Sequence, residues 1–122
     1  MKFNLFPLLL LVSVFALSCG GPGQELKKKI TELEKSVEAS PTKDNLVALE
    51  RSYVQFSKDY ANDKEWSGRY LYRAAGLNYR IQNYNKAAEQ LELGINDFEA
   101  SSATPNSALL LGRLYDLSLI HI

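Results

Sequence analysis

Cysteine and histidine are almost absent from this chain, which has one of each among its 122 residues, Cys19 and His121. An intrachain disulfide needs two cysteines, and metal sites and Ser-His-acid catalytic sets draw on several such side chains. A glycine-rich phosphate loop is also missing from the sequence. We therefore expect no disulfide, no metal site, no cofactor and no enzymatic activity.

An excess of charge of either sign is missing too. Lysine plus arginine and aspartate plus glutamate number 14 each, and 46% of the residues are hydrophobic. A basic domain that binds nucleic acid would carry a surplus of lysine and arginine, and an acidic disordered tail would contain fewer hydrophobic residues. The composition is that of a globular chain, and we expect no nucleic acid among its partners.

The amino terminus has the pattern of a secretory signal peptide over residues 1–18. Lys2 supplies the positive charge, and an apolar run from Leu5 to Leu17 ends at small residues. This run is shorter than the roughly 20 apolar residues of a transmembrane helix. We expect the segment to direct export and to take no part in the folded domain.

Two cleavage sites fit the end of this signal. Ala16 and Ser18 satisfy the small-x-small rule of ordinary secretion, whereas Ala-Leu-Ser-Cys resembles a bacterial lipobox that ends in Cys19. The lipobox is favoured because a lone thiol would stay reactive in an oxidising compartment, while a lipid-modified cysteine is consumed by its anchor. We predict lipidation of Cys19, with residues 19–24 as a flexible tether to the membrane.

Helical periodicity runs through the rest of the chain. Hydrophobic residues at steps of three and four predict a short amphipathic helix over 25–39. The same spacing predicts further helices over about 46–60, 64–81 and 84–99, and one that starts near Ala108. No stretch alternates with period two, so the predicted fold is all-α.

The predicted helices repeat as pairs over residues 45–116. Tyr60 and Phe98 lie 38 positions apart at equivalent places, and Tyr79 and Tyr115 lie 36 positions apart. Self-similarity at this spacing indicates a helical solenoid, in which each pair buries its apolar face against its neighbour.

The pairs carry parts of a known repeat signature, W-x2-L-G-x2-Y followed by A-x3-F. Leu111 to Tyr115 matches L-G-x2-Y, Ala75-Gly76 with Tyr79 matches the same pattern, and Ala87 with Leu91 matches A-x3-F with leucine for phenylalanine. At these residues the chain resembles the tetratricopeptide repeat family. The match implies close helix packing at the small residues, either at Gly76 and Gly112 or, one step earlier in the first case, at Ala74-Ala75.

The resemblance implies both an architecture and a role. We expect a tetratricopeptide-like helix-pair solenoid preceded by a short amphipathic helix, similar to the tetratricopeptide lipoproteins of the Gram-negative envelope. Such a protein would be a membrane-anchored scaffold for protein partners, facing the periplasm and held at the outer rather than the inner membrane. Two alternatives remain open, a glycan-binding lipoprotein of an outer-membrane uptake system and the mount of a catalytic domain lost by truncation.

Arginines and tyrosines on the helix 64–81 form the candidate partner-binding surface. Helical spacing places its three arginines in one narrow stripe with two tyrosines beside it, and a further arginine extends the stripe into the next repeat; the residues are Arg69, Arg73, Arg80, Tyr72, Tyr79 and Arg113. Such a stripe suits carboxylates or an extended peptide. The alternative is a solvated arginine face whose members pair with nearby acidic side chains.

The last six residues, 117–122, match the translation of a transposase end sequence used in preparing sequencing libraries. We expect them to be a sequencing scar, in which case His121 has no function. The alternative is a genuine apolar turn at the carboxyl terminus.

Overall fold

Five helices make up the part of the chain that the computed structural model describes, namely residue 21 and residues 23–121, with side chains as far as residue 117. They are α1 (Gln24–Ala39), α2 (Lys43–Asp59), α3 (Lys64–Arg80), α4 (Tyr84–Asp97) and α5 (Thr104–His121). Helices adjacent in sequence pack in pairs, so the predicted all-α helical solenoid is confirmed. None of the described helices has the length and hydropathy to cross a bilayer.

Polar side chains set where two of the helices begin. The Thr42 hydroxyl accepts a hydrogen bond from the Asn45 amide at 3.2 Å, and the Asp63 carboxylate accepts one from the Trp66 amide at 3.1 Å. Each bond satisfies an amide that the helix itself leaves without a partner. Asp63 is thus the N-cap residue of α3.

Gly23 precedes α1 in a left-handed conformation, with a φ of 78°. A Cβ at this position would lie 2.7 Å from Cε2 of Phe56, and glycine avoids this overlap because it has no Cβ. The residue is buried, so the segment predicted as a flexible tether, 19–24, already packs on the folded domain at Gly23.

Helix α3 lies between two hydrophobic cores. On one side Tyr70 and Ala74 pack with buried residues of α1 and α2, among them Ile30 and Phe56. On the other side Ala75 packs with residues of α4 and α5, which are Ala87, Leu91 and Leu114. Helix α3 is therefore buried on two sides, and α1 belongs to the solenoid as a member of its first pair.

Ile81 lies beyond the end of α3, although the predicted helix over 64–81 includes it. The helix ends at Arg80, Ile81 is its C-cap, and its side chain is 60% exposed. The chain leaves the helix by a left-handed turn at Gln82, which has a φ of 63°.

Burial repeats at the two spacings found in the sequence. Tyr53 of α2 and Leu91 of α4 are both buried 38 positions apart, and Asn78 of α3 and Leu114 of α5 are both buried 36 positions apart. Tyr60 and Phe98 are the C-cap residues of α2 and α4 with closely similar backbone angles. Tyr79, by contrast, is half-buried and Tyr115 is 49% exposed, so the 36-residue equivalence of these two tyrosines stays a prediction.

Close helix packing occurs at different small residues from those that the L-G-x2-Y match indicates. A Cβ at Gly76 or Gly112 would meet no atom within 4 Å, whereas Ala74 and Ala75 are completely buried. The tightest approach is at Gly68, where a Cβ would come closer than 3.0 Å to the side chain of Ser101. The register one step earlier is therefore the one that the packing supports in α3.

Helix α5 begins at Thr104, four positions before the predicted start at Ala108. The predicted start leaves Pro105 in the loop before the helix. Proline is nevertheless tolerated in the first turn of a helix, because an N–H at that position would have no intrahelical partner. The Ser107 amide donates to the Ala103 carbonyl at 2.9 Å and closes this first turn.

Candidate functional site

The arginine stripe of α3 is divided in the structure. Arg69, Tyr72 and Arg73 line a groove of about 260 Å³ between α3 and the start of α5, where Ser102, Ala103 and Asn106 form the other wall. We call this the Arg69 groove. Arg80 is exposed at the end of α3, and Arg113 is exposed on α5, so neither of them lines the groove.

Tyr79 belongs to the second core rather than to the groove. Its ring packs on Tyr84 with 5.7 Å between the ring centroids. Tyr72 also packs partly on this core, but it lines the Arg69 groove as well. Of the six predicted partner-binding residues, the structure brings three together.

Arg73 is engaged by α1. Its Nη1 donates to Oε2 of Glu34 at 2.9 Å, and the Tyr53 hydroxyl donates to the same oxygen at 2.6 Å. Burial, together with the hydrogen bond to Glu34, raises the pKa of Tyr53 well above its usual range. Since Arg73 and Glu34 are each about one third exposed, at 35% and 31%, their pairing stabilises the fold by at most about 1 kcal/mol. At Arg73 the alternative of pairing with an acidic neighbour is correct.

Arg69 is held in a different way. Its guanidinium carbon lies 4.1 Å from the centroid of the Trp66 ring, within the range of a cation–π contact. It makes no hydrogen bond or ion pair with another described residue. The indole holds the flat guanidinium in place and leaves its hydrogen-bond donors available to a ligand.

Glu65 is the acidic residue nearest to Arg69 along the helix, and its carboxylate is occupied elsewhere. It accepts hydrogen bonds from the Ser102 amide at 2.7 Å and from the Ser102 hydroxyl. These two bonds hold the pKa of Glu65 below its usual range. They also fix the wall of the Arg69 groove, and the positive charge of Arg69 lowers the pKa of this carboxyl further without forming an ion pair with it.

Three contributors to the groove were not found by sequence reasoning. Ser102 and Asn106 lay in a predicted loop, and Glu65 was not considered. The start of α5 places Asn106 in the first turn of a helix, facing Arg69 across the groove. The sequence signal for this helix start was Ser101-Ser102, which are typical N-cap residues, followed by Thr104-Pro105, since proline is common in the first turn of a helix.

The groove offers hydrogen-bond donors and aromatic area. Arg69 has a forked set of N–H donors, Asn106 has an amide, and Tyr72 has a hydroxyl beside an apolar ring. This set can hold a carboxylate and neighbouring peptide groups. Across the described residues, His, Cys, Asp and Glu side chains form no group of three that could hold a metal ion.

Comparison of the chain with family models, with curated proteins and with solved structures gave no match. The resemblance to tetratricopeptide repeats therefore stays a prediction. Cys19 lies outside the described residues, and its lipidation stays a prediction too.

Proposed function

We propose that this chain is a lipid-anchored tetratricopeptide-like scaffold that binds protein partners in the bacterial cell envelope. The observation that carries the proposal is the Arg69 groove, where an arginine stacked on Trp66 makes no hydrogen bond or ion pair with an acidic side chain among the described residues. Repeat solenoids bind partners along extended surfaces made by successive helices. The signal peptide pattern and the lipobox-like sequence at Cys19 support anchoring in the envelope, and the family resemblance favours the periplasmic face of the outer membrane.

The ligand of the Arg69 groove is a carboxylate of an extended peptide, either an acidic side chain or a carboxyl terminus. Arginine binds a carboxylate through two parallel hydrogen bonds, which gives direction as well as affinity. A groove of about 260 Å³ holds a group the size of one residue, whereas pockets for drug-sized ligands measure roughly 300 to 1,000 Å³. The rest of the affinity would come from contacts along α3 and α5.

Trp66 is the only tryptophan in the chain, so its fluorescence reports directly on Arg69. We would titrate the full chain with acetylated pentapeptides that end in glutamate, and compare a free carboxyl terminus with an amidated one. Loss of a hydrogen bond to a charged group costs about 1.5 to 3 kcal/mol. We therefore expect Arg69→Ala to weaken binding at least tenfold, while Arg80→Ala, outside the groove, leaves it unchanged. Equal binding by the two variants would show that the groove is not the site.

Anchoring is tested separately at Cys19. The wild-type chain should take up labelled fatty acid and sediment with membranes, whereas Cys19→Ser should take up none. A Cys19→Ser chain that is still acylated would contradict the anchor without affecting the peptide-binding proposal.

A further inference from the structure

A second groove runs between α2 and α4, on the side of α3 away from Arg69. Its floor includes Leu71, which lies about 200° around the helix from both Arg69 and Arg73. Two adjoining cavities, of about 450 and 340 Å³, share Val47, Glu50 and Lys86 in their lining. We call the two together the α2–α4 groove.

Exposed hydrophobic side chains line the edges of the α2–α4 groove. Val47 and Leu93 are each 42% exposed, and Ile81 is 60% exposed. Leu46, Val54 and Leu77 add partly buried apolar surface between them. Contiguous apolar surface of this kind on a folded chain marks an interaction site.

Positive charge is concentrated along one edge of this groove. Lys43, Arg51 and Lys58 follow each other on α2 at steps of eight and seven positions, which places them on one side of the helix about 11 Å apart. All three are exposed, and none makes a hydrogen bond or ion pair with another described residue. Lys86 of α4 differs from them, since its Nζ lies 3.2 Å from Oε2 of Glu50.

Acidic side chains lie on the opposite edge, where Glu89 and Asp97 of α4 line the groove and its continuation. The groove therefore has an apolar floor, a basic edge on α2 and an acidic edge on α4. A ligand that fits must carry a stripe of apolar groups with acidic groups along one flank.

We propose that the α2–α4 groove binds one amphipathic helix of a partner protein. The apolar face of that helix would contact Val47, Ile81 and Leu93, and acidic residues seven or eight positions apart would face Lys43, Arg51 and Lys58.

The geometry favours a helix over an extended segment. Both edges of the groove are helices, which offer no unpaired backbone groups to an extended strand, whereas a partner helix satisfies its own backbone hydrogen bonds. The spacing of the basic row also matches two turns of a helix on its partner.

The test uses the full chain in nanodiscs of zwitterionic phosphatidylcholine, with empty nanodiscs as the blank. The probe is a fluorescein-labelled 18-residue peptide with leucines on one helical face, glutamates on one flank and lysines on the other. Control probes are a scrambled peptide of the same composition and one with glutamine in place of glutamate. We expect the patterned probe to bind at least tenfold more tightly than either control and to gain helical circular dichroism on binding.

Variants of the chain locate the binding. Arg51→Glu and Leu93→Lys should each weaken the probe at least tenfold, because they reverse the charge of the basic edge and break the apolar edge. Lys28→Glu makes the same charge change as Arg51→Glu at an exposed position of α1 outside the groove, and should change binding less than threefold. Far-UV circular dichroism would first confirm that each variant keeps the wild-type fold.

Three results would overturn the proposal. One is equal weakening by Lys28→Glu and Arg51→Glu, which would mean binding by net charge alone. A second is loss of probe binding in Arg69→Ala, which would place the probe in the Arg69 groove. The third is weakened binding of Arg51→Glu to phosphatidylglycerol vesicles with probe binding unchanged, which would make the basic edge a lipid-contacting surface.

Discussion

Two glycines of α3 give a matched pair of substitutions with opposite expected effects. Both lie inside the same helix, so replacing either by alanine removes the same conformational cost, about 1 kcal/mol. At Gly76 the new Cβ meets no atom within 4 Å, so we expect Gly76→Ala to stabilise the fold by up to about 1 kcal/mol. At Gly68 the Cβ would overlap the Ser101 side chain.

Relief of that overlap has to move the segment before α5. The Ser101 hydroxyl donates to the Glu65 carbonyl at 2.8 Å and accepts from the Ala103 amide at 3.3 Å, so Ser101 cannot shift without losing these bonds. Overpacking of this kind costs about 1 to 3 kcal/mol. We therefore expect Gly68→Ala to be less stable than Gly76→Ala by about that amount, and the difference is free of helix propensity.

Denaturation in urea followed by far-UV circular dichroism measures this difference, which corresponds to at least about 4 °C in Tm for a domain near 100 residues. Substitutions at Ser101 identify the cause. Ser101→Gly removes the clashing Cβ and should restore part of the loss in Gly68→Ala, whereas Ser101→Ala keeps that atom and should not. If Gly68→Ala stabilises the fold as much as Gly76→Ala does, the close approach of α3 to the turn before α5 is refuted.

Three further predictions concern single residues. Gln82→Gly should raise stability in urea by roughly 0.5 kcal/mol, because glycine adopts the left-handed φ of 63° without steric cost; no gain would contradict that backbone assignment. The hydrogen bonds from Ser102 lower the pKa of Glu65 in the folded chain, so they stabilise the fold above the ordinary pKa of 4.5, and this stabilisation is lost as the pH falls through the lowered pKa. The melting temperatures of wild type and Glu65→Gln should therefore converge in acid, and a difference that stays constant with pH would refute this coupling. Asn78→Leu should destabilise by about 1 to 3 kcal/mol in urea, because it removes the 2.9 Å bond that Asn78 donates to the buried Gln90, and Asn78→Leu with Gln90→Leu should recover most of that loss.

Local periodicity was sufficient to predict the helices. The apolar steps of three and four reflect the helical turn itself, so they located α1 to within one residue at its start and α3 to within one residue at its end. The start of α5 was missed because Pro105 marks loops in most contexts, yet the first helical turn accepts it. The spacing between equivalent residues predicted the solenoid, because stacked helix pairs bury corresponding positions in each successive pair.

Contacts between distant residues were beyond such reasoning. Arg73 and Glu34 are 39 positions apart, and no local pattern indicates that α1 returns to α3 at that point. The sequence pattern gave no reason to distinguish Arg69, Arg73 and Arg80. In the folded chain Arg73 pairs with Glu34, Arg69 stacks on Trp66 and Arg80 is exposed to solvent. The match to L-G-x2-Y likewise indicated a close approach at Gly76, while the tight contact lies at Gly68.

The balance of 14 basic and 14 acidic residues conceals an uneven arrangement of charge. Ion pairs occupy Lys27, Arg73 and Lys86, each with an acidic partner on a neighbouring segment of the solenoid. Among the cations of the described residues that make no ion pair, Arg69 lies at one groove and Lys43, Arg51 and Lys58 lie at the other. A chain with no net charge can therefore present basic sites to two partners at once. Because α3 supplies a wall of one groove and part of the lining of the other, the two proposed sites share one helix.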